Sequence, residues 1–285
     1  MAADLRNGLV LLGLVLGWAR PAPAQTMRPF ETFRQRHGET RLRTRLEYAA
    51  GNLRLLPGPP DELYRMELSY DQDRYLPISD FNNGNGSVLL GLKPAGSGGV
   101  RVVNRSQLSQ VATVSLSPAV DLALELTLGA VSADVDLGGL RVTNLQVRTG
   151  ASRTVLRFSQ LNASRCDRAA ISAGAAEVSV LGLGNSRCDE VQFEGGIGRV
   201  LLDFSGAWTS SSQVEVTMAV GELTLRLPRK IGLRITMDKF LSSFESAGLV
   251  RRGSGFQSPN YDSSERHLDL DLTTAMGGVN VEWVD

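Results

Sequence analysis

Residues Ser164–Asp189 read SRCDRAAISAGAAEVSVLGLGNSRCD, and the stretch closes on the four letters with which it opens. The chain has two cysteines, Cys166 and Cys188, and both lie inside this repeated tetrapeptide. A shared place in two copies of one motif points to a repeat of just over twenty residues. Working outward, the same unit recurs: LALELTLGAVSADVDLGGL from Leu122, NLQVRTGASRTVLRFSQL from Asn144, RAAISAGAAEVSVLGLG from Arg168 and EVQFEGGIGRVLLDFSG from Glu190. Each copy is an alternating run, a small-residue corner, a second alternating run and a turn. The corner glycines Gly129, Gly150, Gly174 and Gly196 are spaced by 21, 24 and 22 residues. EVTMAVGELTLRLP from Glu215 continues the series with Gly221 in the corner.

Alternation with period 2 is the signature of strands, whose successive side chains point to opposite faces. In VRTGASRTVLRF, residues Thr154, Leu156 and Phe158 share one face and Arg153 and Arg157 the other. Short strands, glycine corners and a fixed period of about 22 residues predict an all-β β-solenoid whose coils pair at about 4.8 Å. A β-sandwich is the competing all-β fold, and it requires no self-similarity at a fixed period. Glycine suits the corners because a sharp bend calls for positive φ or for close approach to the next coil. Stacked coils would then set Cys166 above Cys188, within reach of a disulfide that closes in an oxidising compartment. The alternative is a pair of free thiols at equivalent positions. Two cysteines with two distant histidines do not make zinc-ligand spacing, so neither a metal nor a cofactor is expected.

The ends differ from the array. Arg6, the apolar run Gly8–Trp18 and the A-x-A site Ala22-Pro23-Ala24 together read as a secretory signal peptide over residues 1–24. The apolar run is too short to span a bilayer, which takes about 20 residues. Residues 25–45 carry many charges and read as a leader, flexible or partly helical. Residues 46–118 read as N-terminal coils and cap, with Gly51 as a corner, and residues 119–285 as the regular array. Within it, Phe240, Leu241 and Phe244 with Gly248 behind them predict one short amphipathic helix. HLDLDLTTAMGGVNVEWVD then returns to strands with a corner at Gly277. The chain carries equal numbers of basic and acidic residues, 30 each, and no clustered basic excess of the kind that contacts nucleic acid.

LEYAAGNLRLLPG, LELTLGAVSADVDLGGL, VEVTMAVGELTLRLP with GLRITMD, and SPNYDSSERHLDLDLTTAMGGVNVEWV together resemble bacterial toast-rack proteins. These are domains of unknown function related to the C-terminal part of LiaF-type cell-wall-stress regulators and to adhesin-like proteins. The resemblance runs over roughly residues 46–285. It implies a right-handed β-solenoid at the cell envelope, supplies no catalytic positions, and differs from the LiaF type in having a signal peptide in place of a membrane region.

The functional expectation is a non-catalytic secreted or periplasmic protein that binds an envelope protein or a cell-wall component, in stress response or adhesion. Its binding residues would be aromatics: Trp208 in the turn GAWTSSS, and Tyr64, Tyr70 and Tyr75 in the irregular N-terminal part. These could equally cap coil ends. The alternative is a carbohydrate-active enzyme using the pairs Asp134/Asp136 or Asp269/Asp271, each of which shares a strand face. The same spacing also marks a plain solvated strand. With two histidines, His37 and His267, a Ser/His/Asp triad has little to draw on. A third reading is self-association through incompletely capped coil ends.

Overall fold

The computed structural model describes residues 26–96, 109–244 and 248–285, with side chains followed to Asp238 and again from Gly248. The expected signal peptide lies outside the described residues. The fold is all-β. In chain order the strands are β1 (Met27–Gln35), β2 (Arg41–Pro57), β3 (Glu62–Asp71), β4 (Tyr75–Asn82), β5 (Ser87–Pro94), β6 (Val111–Leu116), β7 (Asp121–Asp136), β8 (Arg141–Thr149) and β9 (Arg153–Arg157). They continue with β10 (Cys166–Leu181), β11 (Cys188–Asp203), β12 (Ser212–Pro228), β13 (Gly232–Phe244), β14 (Val250–Arg252), β15 (Gly255–Gln257) and β16 (His267–Val284). Among the described residues no helix is long and apolar enough to cross a membrane.

The repeat predicts stacking, and the register delivers it. β10 pairs with β11 in parallel from Cys166↔Cys188 to Val180↔Leu202, a constant offset of 22 residues. β11 pairs with β12 in the same sense. The long strands bend at their middle, so that β8 and β9 form two halves of one level between β7 and β10. These four strands close a parallel ring. Side chains of one phase then pile up inside. One column runs Leu90, Leu46, Leu126, Val147, Ile171, Phe193, Val216, Leu272 and Met237 through nine successive strands. All but Met237 are buried. Each buried aliphatic or aromatic side chain of this kind contributes about 1.5–3 kcal/mol through its removal from water.

The cysteines meet as the repeat requires. Cys166 and Cys188 form a disulfide, with Cα atoms 4.2 Å apart and both residues buried. Beside them the buried Asn162 ties the turns of three coils together, donating to the carbonyls of Val142 and Ser186 and accepting from the Val142 N–H.

Three expectations are corrected. The charged leader is strand: Leu42, Thr44 and Leu46 point inward while Arg41, Arg43 and Arg45 point to solvent, an alternation that the density of charge conceals. The C-terminal helix is also strand. β13 runs through Phe240, Leu241 and Phe244, paired with β16 from Gly232↔His267 to Phe244↔Val279. A full parallel ladder overrides the local helical spacing. Residues 245–247 lie outside the described residues. Nor do the coils stack in chain order. β2 is inserted between the β5/β6 level and β7, and β16 between β12 and β13. The base is closed by antiparallel strands, β4 on β5 and β3 with β1 on β6, while the three-residue β15, paired to β14, covers the start of β13.

The corner glycines separate into two columns. Gly129, Gly150, Gly174 and Gly196 form the first, where an added Cβ at Gly129 would stand 2.2 Å from the Ala49 carbonyl oxygen. Gly198, Gly221 and Gly277 form the second, two residues further on, all with positive φ. Gly221 therefore stacks on Gly198 and not on Gly196, which corrects the alignment of the copies by two residues. Gly51, with φ +114°, lies against the Gln110 carbonyl oxygen, 2.4 Å from its would-be Cβ.

Gly221 has φ +139°, and a Cβ there would stand 1.9 Å from the Gly198 oxygen. Gly221→Ala is expected to cost at least about 2 kcal/mol of stability by urea unfolding. Gly96→Ala, where nothing lies within 4 Å of the added carbon, is the matched control and should change stability by less than about 0.5 kcal/mol. Reducing the disulfide, which closes a 22-residue separation, should lower unfolding free energy by about 3 kcal/mol in the same assay.

Candidate functional site

The four aspartates do not converge. Asp134 and Asp136 lie on β7 beyond its corner, and Asp269 and Asp271 on β16 before its corner, with β8/β9, β10, β11 and β12 stacked between them. At about 4.8 Å per level the two pairs are about 24 Å apart along the stack. Each also has a structural employment. Asp134 pairs with Arg157 at 2.8 Å, while Asp136 accepts from the Gly138 N–H at 2.9 Å and the Ser159 hydroxyl at 2.8 Å, closing a turn. Asp269 accepts from the Tyr261 hydroxyl at 2.8 Å and has Arg234 3.8 Å away. Asp271 faces Glu215 on one side and Thr236 on the other. Among the described residues no group of His, Cys, Asp and Glu is arranged to hold a metal ion.

The aromatic candidates are buried, which corrects their reading as an exposed binding surface. Tyr64, Tyr70, Tyr75 and Trp208 are each at most 7% exposed. Burial raises the hydroxyl pKa values of Tyr64 and Tyr75. Trp208 plugs the loop after β11: its indole N–H donates to the Phe204 carbonyl at 2.7 Å, and its ring fills the space beside Gly184. The irregular N-terminal segment folds into antiparallel cap strands, and its tyrosines pack inward where a broken repeat leaves room for large side chains.

What the stack leaves open is the corner. A shallow trough of about 630 Å³ runs along the first glycine column, floored by Gly150, Gly174 and Gly196. One wall is a ladder of Thr127, Arg148, Ser172, Glu194 and Thr217, each register neighbour of the next. Five levels make the trough about 19 Å long. Beyond its glycine floor, Ile197, Val220 and Met276 stack in three consecutive levels. They are 64%, 39% and 52% exposed. Each precedes a positive-φ glycine of the second column, so the bend turns outward a side chain that alternation alone would leave ambiguous. The tripeptides GIG, AVG and AMG carry that signal, and it becomes readable only once the two glycine columns are told apart.

The family profile described as the N-terminal domain of toast_rack, DUF2154, matches residues 23–181. The chain belongs to the toast-rack family. The matched part ends with the last residue of β10, whereas the toast-rack stack continues through β11, β12, β16 and β13. Among curated protein sequences none matches the chain. The toast-rack chain is similar to a putative cell adhesion protein from Clostridium sporogenes, at 15% identity and a TM-score of 0.48, covering 90% of this chain and 100% of that one. It is also similar to a putative adhesin from Bacteroides fragilis, at 10% identity and a TM-score of 0.39, over 91% and 99% of the two chains. A putative lipid binding protein from Parabacteroides distasonis follows at 10% identity and a TM-score of 0.35, over 91% and 97%. At these scores the likenesses assign neither ligand nor partner to the toast-rack chain.

Desolvation and the hydrogen bond to Asp269 push the Tyr261 hydroxyl up to about 12 from its model-peptide value of 10.0. A folded pKa above the unfolded one gives a stabilisation present below pH 10, lost as the pH rises through about 12. Ultraviolet titration should therefore show a late phenolate step that Tyr261→Phe removes. That variant should also flatten the fall of stability between pH 10 and 12.

Proposed function

We propose that the chain is a non-catalytic protein of the bacterial envelope, secreted or periplasmic, that holds a protein partner along the corner trough. In this reading it is a right-handed β-solenoid, the hand that the twist of parallel strands imposes on their crossovers. The apolar N-terminal run with its A-x-A site and the buried disulfide support an oxidising compartment outside the cytoplasm.

The observation that carries the proposal is the exposed ladder Ile197, Val220, Met276 beside a polar ladder, both running across coils. An extended polypeptide can bury apolar side chains on the first and hydrogen-bond to the second. A glycan would want aromatic platforms, and the candidate aromatics are buried. Support against catalysis comes from the dispersed aspartates. The family's link with cell-wall-stress regulators makes envelope stress response the pathway to examine first.

In vivo photocrosslinking from position 220 of the mature protein, read by mass spectrometry, should recover one envelope protein in stoichiometric yield. The Ile197→Asp/Val220→Asp variant should keep its melting temperature and lose at least about tenfold in affinity, given the 1.5–3 kcal/mol carried by each buried aliphatic chain. Recovery of wall polysaccharide alone would replace the protein partner by a cell-wall component.

A further inference from the structure

A second surface, which shares Arg148, Ser172 and Glu194 with the polar wall of the trough but leaves out its apolar ladder, fits a partner whose chemistry is on the page, namely another copy of this chain. It is the outward face of the strand halves that precede the corner. Two of its rows run straight through seven strands in the order β2, β7, β8, β10, β11, β12, β16. The first begins at Arg43, passes Arg168 on β10 and ends at Asp269. The second begins at Arg45, passes Ala170 and ends at Asp271. Over these seven strands arginine stands at one end of both rows and aspartate at the other, about 29 Å away at about 4.8 Å per level, and the rows run on into β13 at Arg234 and Thr236.

Asp269 is held by the Tyr261 hydroxyl and Arg234, but the other charges are incompletely used within the chain. Arg43 makes no ion pair among the described residues, nor does Asp271, which stands register-opposite the equally unpaired Glu215. Two carboxylates directly opposite each other in a parallel ladder repel, and a cation brought from outside relieves them. Arg45 is shared with Glu125, which Arg148 also contacts, so Glu125 is already neutralised.

We infer that two copies associate face to face in antiparallel fashion about a two-fold axis lying along β10. β10 is the fourth of the seven strands, so the axis carries β2 onto β16 and β8 onto β11. One operation then sets Arg43 opposite Asp269, Arg45 opposite Asp271, and Arg148 opposite Glu194, and it brings Glu125, already held by two arginines, opposite Glu215. An isologous contact counts each of these twice. Ala170 and Ser172 lie at the axis with Arg168, which there faces its own symmetry mate and is held back by Glu190 at 3.5 Å. The surface is a flank of the stack and not a coil end, so it limits assembly to a closed pair.

The test uses the mature chain and a pair of charge-reversed variants, Arg43→Glu/Arg45→Glu and Asp269→Arg/Asp271→Arg. Light scattering at about 0.05 M salt should give the dimer mass for the unaltered chain, with a dissociation constant that rises about tenfold or more at about 0.5 M as screening shortens. Each variant alone should be monomeric with unchanged circular dichroism. Mixed, they should recover the dimer mass, because every reversed end then meets an opposite charge. A monomeric unaltered chain at low salt, a dimer that survives either reversal, or variants that stay monomeric on mixing would each overturn the proposal. The trough variant Ile197→Asp/Val220→Asp should still dimerise, so failure here and failure of the partner-binding reading are told apart.

Discussion

The whole stack depends on how closely one coil approaches the next at its corner. There the carbonyl oxygen of one level occupies the place where a side chain of the level above would begin: Gly198 under Gly221, and Gly221 under Gly277, with would-be Cβ contacts of 1.9 and 1.8 Å. Contact this close excludes every residue but glycine and locks the register, since a slip of one residue would drive a side chain into the backbone below. Register in turn places everything else. It stacks Leu126 on Leu46 and Val147 on Leu126 in the interior, sets Cys166 against Cys188, and brings Arg153 to Glu177 and Arg199 to Glu222 outside.

Those outer ion pairs are exposed, and each contributes little on its own, between about 0 and 1 kcal/mol. Their alternation in sign carries more weight than their energy. In an in-register parallel stack of identical coils, like charges would lie over like; here arginine on one level meets a carboxylate on the next along the row Arg153, Glu177, Arg199, Glu222. The rows Arg43–Asp269 and Arg45–Asp271 keep such pairs at Arg45–Glu125 and Arg168–Glu190 but leave Arg43, Glu215 and Asp271 without one among the described residues.

Function follows the same economy. Side chains that could do chemistry are committed to the frame: Asp136 closes a turn, Asp134 and Asp269 face arginines, and Trp208 plugs a loop. What remains free is surface that repeats across coils, an apolar ladder and polar rows. The stacked strands leave such surfaces open, and the corner trough is the part with the most relief.

Much of the fold was legible from the residues alone. The period of the SRCD copies gave the coil length, and coil length dictated that Cys166 and Cys188 stack, because equivalent positions in consecutive parallel strands are neighbours. Strand character was readable in the repeats, and it was missed in the charged leader, at Met27–Gln35 and Arg41–Arg45, and where Phe240, Leu241 and Phe244 mimic a helix. The order of the strands was decided by tertiary structure, since β2 and β16 are inserted out of sequence by long connections that no local pattern encodes. So was the division of the glycines into two columns, which rests on a two-residue offset visible only in the pairing. The candidate site shifted with it. Burial of Tyr64, Tyr70, Tyr75 and Trp208, and exposure of Ile197, Val220 and Met276, reverse what side-chain type suggests. A sequence specifies which residues alternate, but which side of a bend faces water depends on the neighbouring coil.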